Sequence, residues 1–369
     1  VDTGNFDVEV LETSNDGTYL FYCVNQEGYT RGVVKNLKTG DLVNLPNAKM
    51  LTYVSFTPDS KKFILRYATG TQQGERYLYD PKTKRQSQMS FPNYAGIARE
   101  TFVEPQLIKY KSFDGTEIPA FLYLPKDAKQ DGKLPLIIEY HGGPEGQSDP
   151  YFDPLLQYFV ARGYAVLLPN VRGSSGYGKN YLNADNTTKR EVSLKDGIAA
   201  AEWAKTAGYF DPKKLIAFGG SYGGYMTLAM LTFYPDYWAA GVDVVGISNL
   251  LSFLKNTSAY RQKVRISEYG DPVQDSTFLK KISPLYHVEN IKAPLMVIQG
   301  ANDPRVPKSE ADQIVEAIGK KGGVVEYQLF DDEGHGLAKL KNRIKGYSAM
   351  MDFLDKHVLK KNAPTSAAQ

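Results

Sequence analysis

The sequence contains little of what marks several large classes of protein. With Cys23 as its single cysteine, the chain of 369 residues excludes an intramolecular disulfide and a cysteine-rich metal site. A formal net charge of +3 at pH 7 is too small to indicate nucleic acid or an anionic membrane as a partner. No apolar run approaches the roughly 20 residues that a membrane-spanning helix needs. The 42% of hydrophobic and 23% of charged residues instead predict a globular protein with a well-packed core.

Motifs for cofactors and targeting are absent as well. The sequence has no Walker A pattern, no dinucleotide fingerprint and no cluster of histidines and carboxylates, so we expect neither a cofactor nor a metal ion. No signal peptide is present, although the chain begins at Val1 rather than methionine. A cytoplasmic location therefore stays open beside a periplasmic or secreted one, in which a signal peptide has been removed. The sequence also leaves homo-oligomerisation open.

Residues 1–104 have the pattern of an all-β region, and two of their segments resemble each other. Each segment has a turn, a hydrophobic strand, a further strand and a second turn, and the turn residues Asp16 and Asp59 lie about 43 residues apart. That spacing is typical of the blades of a β-propeller, although a plain β-meander has similar strands. Two blades are too few to close a ring, which needs at least about four. We therefore expect either the C-terminal part of a longer propeller or an incomplete remnant that packs on the second domain.

Residues 105–369 change to an α/β pattern and form the second predicted domain. A hairpin that turns at Asp114 and Gly115 comes first, and apolar strands then alternate with helices. The predicted strands are 134–140, 165–169, 215–218, 240–245, 295–299 and 324–330, and the predicted helices are about 153–162, 190–207, 222–234, 308–320 and 339–359. Strands of that apolar density, separated by helices, indicate a mostly parallel sheet that helices cover on both faces.

A glycine-rich turn between a short apolar strand and an apolar helix is the most informative motif. Gly219, Ser221 and Gly223 fit the G-x-S-x-G pattern of a nucleophile elbow. On so sharp a turn the serine has a strained backbone, and its neighbours must lack a Cβ to avoid the strand and the helix. An ordinary glycine-rich loop is the alternative, but the strand before the motif and the helix after it favour the elbow. We therefore predict that Ser221 is a nucleophile.

Two later strand ends supply partners for Ser221, since ligands of α/β sheets bind at the carboxyl ends of the strands. Asp303 and His335 each follow one of the last two predicted strands. The order Ser, Asp, His along the chain is that of the α/β-hydrolase triad. In this interpretation His335 accepts and returns the serine proton, and Asp303 orients the imidazole. Asp331 and Asp332 are weaker candidates for the acid, because they lie too close to His335 to need a separate strand end.

The other three histidines have simpler explanations. His287 precedes a strand, where a structural role is expected, and His357 lies on the terminal helix, where solvent exposure is expected. His141 ends a strand that precedes the nucleophile in the chain. That position suits a residue that lines the site and contacts substrate.

The loop after His141 is predicted to contribute to an oxyanion hole. Its sequence, with Gly142 and Gly143 followed by proline, is similar to the H-G-G motif of esterases and peptidases. A simple turn is the alternative, but the expected position of the loop opposite the elbow favours the hole. We predict that the two donors are the backbone N–H of Gly143 and that of Tyr222, the residue after the nucleophile.

Five runs of the second region together resemble the prolyl oligopeptidase family of serine peptidases, especially its acylaminoacyl-peptidase and dipeptidyl-peptidase branches. The runs are 141–144 (HGGP), 170–178 (NVRGSSGYG), 219–224 (GGSYGG), 302–307 (NDPRVP) and 332–336 (DEGHG). The resemblance implies an α/β-hydrolase fold preceded by a β-propeller that caps it. The blade-like repeats are then the remnant or the last part of that propeller.

The resemblance also implies how substrate is held. Arg305 would bind a main-chain carbonyl of the substrate, which suits the several fixed donors of a guanidinium, although a salt bridge with a surface carboxylate is the simpler alternative. Val306 and Tyr222 would line an apolar pocket for the residue before the cleaved bond, with Phe253 and Leu254 as weaker additions. Residues 1–100 offer no Glu–Glu pair that would bind a free N-terminus, so dipeptidyl specificity is not predicted.

The predicted function is that of a serine peptidase that hydrolyses short peptides or acyl-peptides through an acyl-enzyme. A carboxylesterase acting on small esters is the alternative, because the same triad hydrolyses esters and a reduced propeller would leave the site open. A catalytically silent binding module of the same fold would have a damaged triad, whereas Ser221, Asp303 and His335 are all present.

Overall fold

The computed structural model of the protein describes residues 6–47, 50–257 and 259–360. Seven strands form the first part of these ranges, and a short 3-10 helix (Arg99–Thr101) follows them. The strands are β1 (Asp7–Thr13), β2 (Tyr19–Gln26), β3 (Tyr29–Asn36), β4 (Leu51–Phe56), β5 (Phe63–Tyr67), β6 (Glu75–Asp80) and β7 (Arg85–Gln88). Strands β1 to β3 form a three-stranded antiparallel sheet, and β4 to β7 form a four-stranded antiparallel sheet. Both sheets are simple meanders, as in propeller blades.

The two segments that resemble each other in sequence have the same turn structure. The Ser14 hydroxyl donates to Asp16 Oδ1 at 2.7 Å, and the Thr57 hydroxyl donates to Asp59 Oδ1 at the same distance. Each aspartate also accepts the backbone N–H two residues further on, at 3.0 and 3.1 Å. The repeat seen in the sequence is therefore a repeat of local hydrogen bonding.

The second part of the chain is built on one eight-stranded sheet. Its strands are β8 (Gln106–Lys111), β9 (Glu117–Tyr123), β10 (Leu134–Tyr140), β11 (Ala165–Pro169), β12 (Phe210–Gly220), β13 (Ala240–Val244), β14 (Leu295–Gly300) and β15 (Val325–Phe330). Their order across the sheet is β15-β14-β13-β12-β10-β11-β9-β8. Strands β10 to β15 are parallel to one another, and the β8–β9 hairpin adds an antiparallel edge.

Helices cover both faces of this sheet. They are α1 (Pro154–Ala161), α2 (Lys179–Leu182), α3 (Glu191–Thr206), α4 (Tyr222–Phe233), α5 (Leu250–Asn256), α6 (Ala259–Tyr269), α7 (Ser276–Ile282), α8 (Lys308–Lys320) and α9 (Leu340–His357). Within the described ranges, none of the helices has the length and hydropathy needed to cross a membrane. The predicted strands and helices agree with these bounds to within about two residues, except that β12 begins about five residues before its predicted start and that α2, α5, α6 and α7 were not predicted.

Successive residues of the central strands pack into two separate apolar layers. Leu136 and Ile138 of β10 belong to the layer that contains α3, α4 and α8, whereas Ile137 belongs to the layer that contains α1 and α9. A strand that is buried on both faces needs a nearly continuous apolar sequence, which β10 has. This sheet, with helices on both faces, is the α/β-hydrolase arrangement that the sequence predicts.

Polar contacts join the all-β region to the α/β region. The Gln157 side-chain amide, on α1, donates to the carbonyl oxygens of Gly70 and Val103 at 2.9 Å each and accepts the Val103 N–H at 3.0 Å. The Tyr151 hydroxyl accepts the N–H of Thr30 at 2.8 Å. Buried hydrogen bonds therefore hold the two regions against each other.

Candidate active site

The turn between β12 and α4 has the strained geometry of a nucleophile elbow. Ser221 has φ 58° and ψ −117°, which a residue with a Cβ rarely adopts. Its own N–H donates to the carbonyl of Val244 on the neighbouring strand at 2.8 Å, and this hydrogen bond helps to hold the strained conformation. The side chain therefore stands at the carboxyl edge of the sheet, at the N-terminus of α4.

The glycines of the elbow are required by close backbone contacts. A Cβ on Gly223 would lie only 1.9 Å from the carbonyl oxygen of Tyr140, and a Cβ on Gly219 would lie 2.4 Å from the backbone of Gly223. Strand β12, helix α4 and the end of β10 can approach this closely only because both positions lack a side chain. The sequence interpretation of the G-x-S-x-G motif agrees with these contacts.

The structure brings Asp303 and His335 together. His335 Nδ1 lies 2.7 Å from Asp303 Oδ2, and the Asp303 carboxylate is fully buried. Its other oxygen, Oδ1, accepts the backbone N–H groups of Arg305 at 2.8 Å and Val306 at 3.0 Å. The carboxylate is therefore fixed from two sides, with one oxygen held by the backbone and the other free to orient the imidazole.

The loop that carries His335 is held against β14 at Gly300. A Cβ on Gly300 would lie 2.1 Å from the carbonyl oxygen of Gly334, so the two chain segments are in direct contact. Ser221, Asp303 and His335 follow β12, β14 and β15, which are parallel and end at the same edge of the sheet. Among the residues that the structure describes, none forms a hydrogen bond with the Ser221 hydroxyl. Catalytic hydrogen bonds of this kind are often long in a site without substrate.

The remaining histidines lie in other environments. His287 Nε2 is 3.0 Å from the carbonyl oxygen of Lys281. His357 Nε2 lies 3.7 Å from Glu326 on β15, and its side chain is only 15% exposed, so the expected solvent exposure of His357 was wrong. His141 Nε2 is 2.8 Å from the Ser174 hydroxyl, and burial lowers the pKa of His141, so its neutral form is favoured. Of the four histidines, only His335 contacts a described aspartate at the carboxyl edge of the sheet, Asp303.

The loop after His141 faces the elbow, as predicted. A Cβ built on Gly142 would lie 3.6 Å from the Ser221 Cβ and 3.2 Å from the Gly220 carbonyl. Gly143 has φ 143°, and in the described part of the chain neither its N–H nor that of Tyr222 donates a hydrogen bond. An oxyanion hole needs two N–H groups that are free to donate to the same oxygen, and these two remain the predicted pair.

A cleft of about 530 Å³ opens beside this loop. The residues that line it are Gly143, Pro144, Glu145, Tyr260, Arg261, Val264, Arg265, Ser267, Glu268 and Arg305. Arg305 is exposed there and makes no ion pair with any described residue, so the alternative of a salt bridge does not hold within these ranges. The cleft therefore joins the predicted oxyanion loop to the predicted carbonyl-binding arginine.

The side chains of Val306 and Tyr222 do not line the cleft, in contrast to the apolar pocket that the resemblance implied. Each residue is only 1% exposed. Val306 contributes its N–H to Asp303 and packs its side chain in the core. Phe253 and Leu254 are likewise buried, so the accessible wall of the cleft is more polar than expected.

Sequence reasoning missed a buried arginine behind the elbow. Arg190 is fully buried, pairs with Asp185 and Glu268 through short hydrogen bonds, and donates to the Tyr222 hydroxyl at 3.2 Å. Its guanidinium also lies over the rings of Tyr222 and Tyr269, at 5.2 and 5.1 Å from their centres. This network fixes the residue after Ser221 and the end of α6. No local pattern revealed it, because a charged run before a helix usually indicates a solvated surface.

No metal site accompanies these residues in the described ranges. There, no group of three or more His, Cys, Asp or Glu side chains is arranged to hold a metal ion.

Comparison with known proteins agrees with the geometry. A family model described as "Prolyl oligopeptidase family" matches residues 150–361. The dipeptidyl aminopeptidase BIII of Pseudoxanthomonas mexicana is 37% identical over 307 residues, which are 80% of this chain and 44% of that protein. The dipeptidyl peptidase family member 6 of Caenorhabditis elegans is 33% identical over 339 residues, 85% of this chain and 46% of that protein. The chain thus spans about half the length of these relatives.

Solved structures show the same fold. A puromycin-hydrolyzing peptidase of Mycobacterium tuberculosis superposes with a TM-score of 0.83 at 27% identity, covering 94% of this chain and 53% of that one. The acylaminoacyl peptidase of Pyrococcus horikoshii superposes with a TM-score of 0.83 at 23% identity, covering 98% of this chain and 58% of that one. Because the family model matches more than half of the chain and the relatives align along most of it, the chain belongs to the prolyl oligopeptidase family.

Proposed function

We propose that the chain contains the catalytic machinery of a serine peptidase that hydrolyses short peptides or acyl-peptides. Ser221 is the nucleophile, His335 the general base and acid, and Asp303 the residue that orients the imidazole. The observation that carries the proposal is the 2.7 Å contact between His335 and a buried Asp303 at the same sheet edge as the strained Ser221. The peptidase names of the relatives support the same reaction class.

In the proposed reaction, Ser221 Oγ attacks the carbonyl carbon of the scissile amide while its proton passes to His335 Nε2. The N–H groups of Gly143 and Tyr222 stabilise the oxygen that becomes negative. The C–N bond then breaks as His335 returns the proton to the leaving amine. Water attacks the acyl-enzyme by the same route and releases the acid.

Arg305 is proposed to hold a main-chain carbonyl of the substrate. It is exposed at the rim of the cleft that also contains Gly143, and its guanidinium has no competing carboxylate among the described residues. Peptides present carbonyl groups at fixed spacing, so one such contact helps to set the register of the chain. His141, held at Ser174 and neutral, is proposed to line the same side of the site.

We also propose that the chain consists of two domains that divide near residues 104 and 105. The two meander sheets end at Gln88, and the strand that begins at Gln106 already belongs to the eight-stranded sheet. The all-β domain is proposed to be part of a β-propeller, a proposal that the repeated turns and the length of the relatives support.

The experiment that tests the function compares kcat/KM for an acyl-dipeptide anilide and for the matching p-nitrophenyl ester. Ser221→Ala is the blank, and we expect it to lower kcat by about 10⁴–10⁶ on both substrates. Anilide turnover that depends on Ser221 and lies within a few orders of magnitude of the ester rate is the result expected of a peptidase. Turnover of the ester alone would contradict the peptidase proposal and indicate a carboxylesterase. No turnover and no labelling by a fluorophosphonate would indicate a silent binding module.

A further inference from the structure

Three arginines line the cleft beside the predicted oxyanion loop and form no ion pairs with described residues. Arg261, Arg265 and Arg305 all contribute to its wall. In the described part of the chain none of them lies within 4 Å of a carboxylate oxygen, whereas the buried Arg190 and the partly buried Arg172 each hold two carboxylates. Arg305 already has a proposed role at a main-chain carbonyl. Arg261 and Arg265 have none.

Arg265 is held in a defined position. Its guanidinium lies over the ring of Phe253 at 5.5 Å and over that of Tyr269 at 5.8 Å, and its Nη1 donates to the Gly143 carbonyl at 3.3 Å. A guanidinium has five N–H donors, and Gly143 uses one of them. The aromatic contacts fix the group without satisfying its remaining donors, which are free to bind an acceptor in the cleft.

Arg261 lies one turn earlier on α6 and lines the same cleft. Among the described residues it contacts the ring and hydroxyl of the adjacent Tyr260, which is 79% exposed. Residues four apart on a helix lie on the same face, so Arg261 and Arg265 present two guanidinium groups in one direction. A pair of cations on one wall of a cleft attracts an anion more strongly than either alone.

The two carboxylates that also line the cleft compete weakly for these arginines. Glu268 is engaged with the buried Arg190 through its Oε1. Glu145 is exposed and forms no ion pair with a described residue, and partial desolvation together with the neighbouring Glu268 raises the pKa of its carboxyl. The positive charge of the cleft therefore remains available to a ligand.

We propose that Arg261 and Arg265 form a subsite for a carboxylate of the substrate, next to the bond that is cleaved. The proposal rests on the proposed peptidase function and names the substrate class of the same site. Its location follows from Gly143, which contacts Arg265 and belongs to the loop that faces Ser221. The carboxylate belongs either to an acidic side chain before the cleaved bond or to the C-terminus of a short peptide, and both would be bound by the same charge-assisted hydrogen bonds.

Binding to the Ser221→Ala variant tests the subsite without requiring turnover. Calorimetry with an acyl-dipeptide amide that ends in Glu, and with its Gln counterpart, isolates a side-chain carboxylate. The Gln peptide with a free C-terminus, compared with its amide, isolates a terminal carboxylate. We expect about tenfold or tighter binding of one carboxylate member over its neutral partner, as hydrogen bonds to a charged group provide. Adding Arg265→Gln or Arg261→Gln should reduce that ratio to near one.

Lys263→Gln is the matched control, because it removes a positive charge from the exposed surface of the same helix outside the cleft. It should leave the ratio unchanged. Using the ratio within each variant cancels any general loss that Arg265→Gln causes through Gly143. Equal binding of charged and neutral members, or a ratio that Lys263→Gln lowers as much as Arg265→Gln, would overturn the subsite. The absence of Ser221-dependent turnover in the anilide assay would overturn the peptidase instead, so the two failures are distinguishable.

Discussion

At the scale of single residues, Asp303 shows how one side chain serves both the fold and the proposed chemistry. Its Oδ1 accepts two backbone N–H groups of its own turn, and its Oδ2 faces His335 Nδ1. The first set of hydrogen bonds needs only an acceptor, whereas the second needs an acceptor opposite an imidazole N–H. Replacing the carboxylate by an amide therefore separates the two roles.

We predict that Asp303→Asn folds normally but lowers kcat/KM on the anilide by about 10³–10⁴. The amide oxygen can still accept the N–H groups of Arg305 and Val306, which turns the NH₂ group toward His335 and favours the wrong tautomer. Steady-state kinetics together with urea unfolding check both halves of the prediction. Asp331→Asn is the control, because Asp331 is exposed and lies in the same loop as His335, and it should keep full activity. An active Asp303→Asn would remove Asp303 from the triad.

Asp243 is a second buried carboxylate, located beneath the elbow on β13. It is fully buried, and neither of its oxygens meets hydrogen-bond geometry with a described residue. Burial raises its pKa to about 7, which the nearby Gly246 N–H opposes only in part. A Cβ on Gly224 would lie 2.3 Å from its Oδ1, so there is no room for water to approach from α4.

The raised pKa of Asp243 predicts a pH dependence of stability. An unfolded aspartate has a pKa of about 3.9, so between about pH 4 and 7 the folded state binds the proton that the unfolded state has lost. The free energy of unfolding should therefore fall as pH rises through this window, by on the order of 1 kcal/mol per pH unit, and remain lower above it. Asp243→Asn removes this contribution.

Urea unfolding of wild type and Asp243→Asn at several pH values checks the sign. The difference in stability should shift in favour of the variant from about pH 4 to 7 and stay constant above that. Asp271→Asn is the control, because backbone N–H groups lower the pKa of that exposed aspartate and its effect should appear only in acid. A pH-independent difference for Asp243→Asn would show that Asp243 is charged in the folded protein.

At the scale of elements, the strands and the polar helices differ in how far sequence predicts them. The bounds of β10 and β11 were predicted to the residue, because strands buried on both faces must be apolar throughout. Helix α6 was missed, because most of its residues are polar or charged and two of its few apolar residues, Tyr260 and Val264, are 79% and 67% exposed. Its arginines line the cleft, so the part of the site that is proposed to select substrate was the least predictable.

The site itself divides in the same way. Positions fixed by short motifs, such as Ser221 in its elbow and His335 after β15, are predictable because the local chain conformation determines them. The Arg190 network is not, since Arg190 and Glu268 lie far apart in sequence and meet only when α6 packs behind the elbow. The Tyr222 side chain points into that network, which is why it does not line the cleft.

The elbow depends on close contact between elements, and this predicts a large effect of one methyl group. Gly223→Ala places a Cβ 1.9 Å from the Tyr140 carbonyl, so β10 and α4 must separate. We expect it to destabilise the protein by more than the ~1–3 kcal/mol of ordinary overpacking and to abolish activity. Gly319→Ala on α8 is the control: nothing lies within 4 Å of its Cβ, and a gain of about 0.5–1 kcal/mol is expected. Chemical unfolding of both variants decides, and equal stabilities would contradict the tight packing of the elbow.

At the scale of the whole molecule, the all-β and α/β regions are joined by buried hydrogen bonds rather than by apolar contact alone. Gln157 makes three such bonds from α1 and is only 6% exposed. Glu104, at the end of the all-β region, accepts the N–H groups of Gly70 and Thr71 and so connects the segment that carries Val103 to the loop that carries Gly70. A substitution that removes the Gln157 hydrogen bonds should therefore destabilise both regions.

We predict that Gln157→Leu lowers the free energy of unfolding by about 1–3 kcal/mol, because it leaves the Gly70 and Val103 backbone groups buried without partners. It should also make the segment between β7 and β8 more sensitive to limited proteolysis. Gln130→Leu, an exposed change of the same kind, should shift stability by less than about 0.5 kcal/mol. An unchanged unfolding midpoint for Gln157→Leu would mean that the Gln157 hydrogen bonds contribute nothing to stability.

The order of strands in the large sheet also bears on how the enzyme is made in the cell. A ribosome that has completed β14 has supplied Ser221 and Asp303, but His335 follows β15, the last strand to be added. Until His335 is in place, Ser221 has no base to accept its proton, and Asp303 has no imidazole to orient. On the proposed mechanism, a growing chain would be inert as a protease while its own unfolded segments are most open to cleavage, and activity would begin only when the sheet is complete.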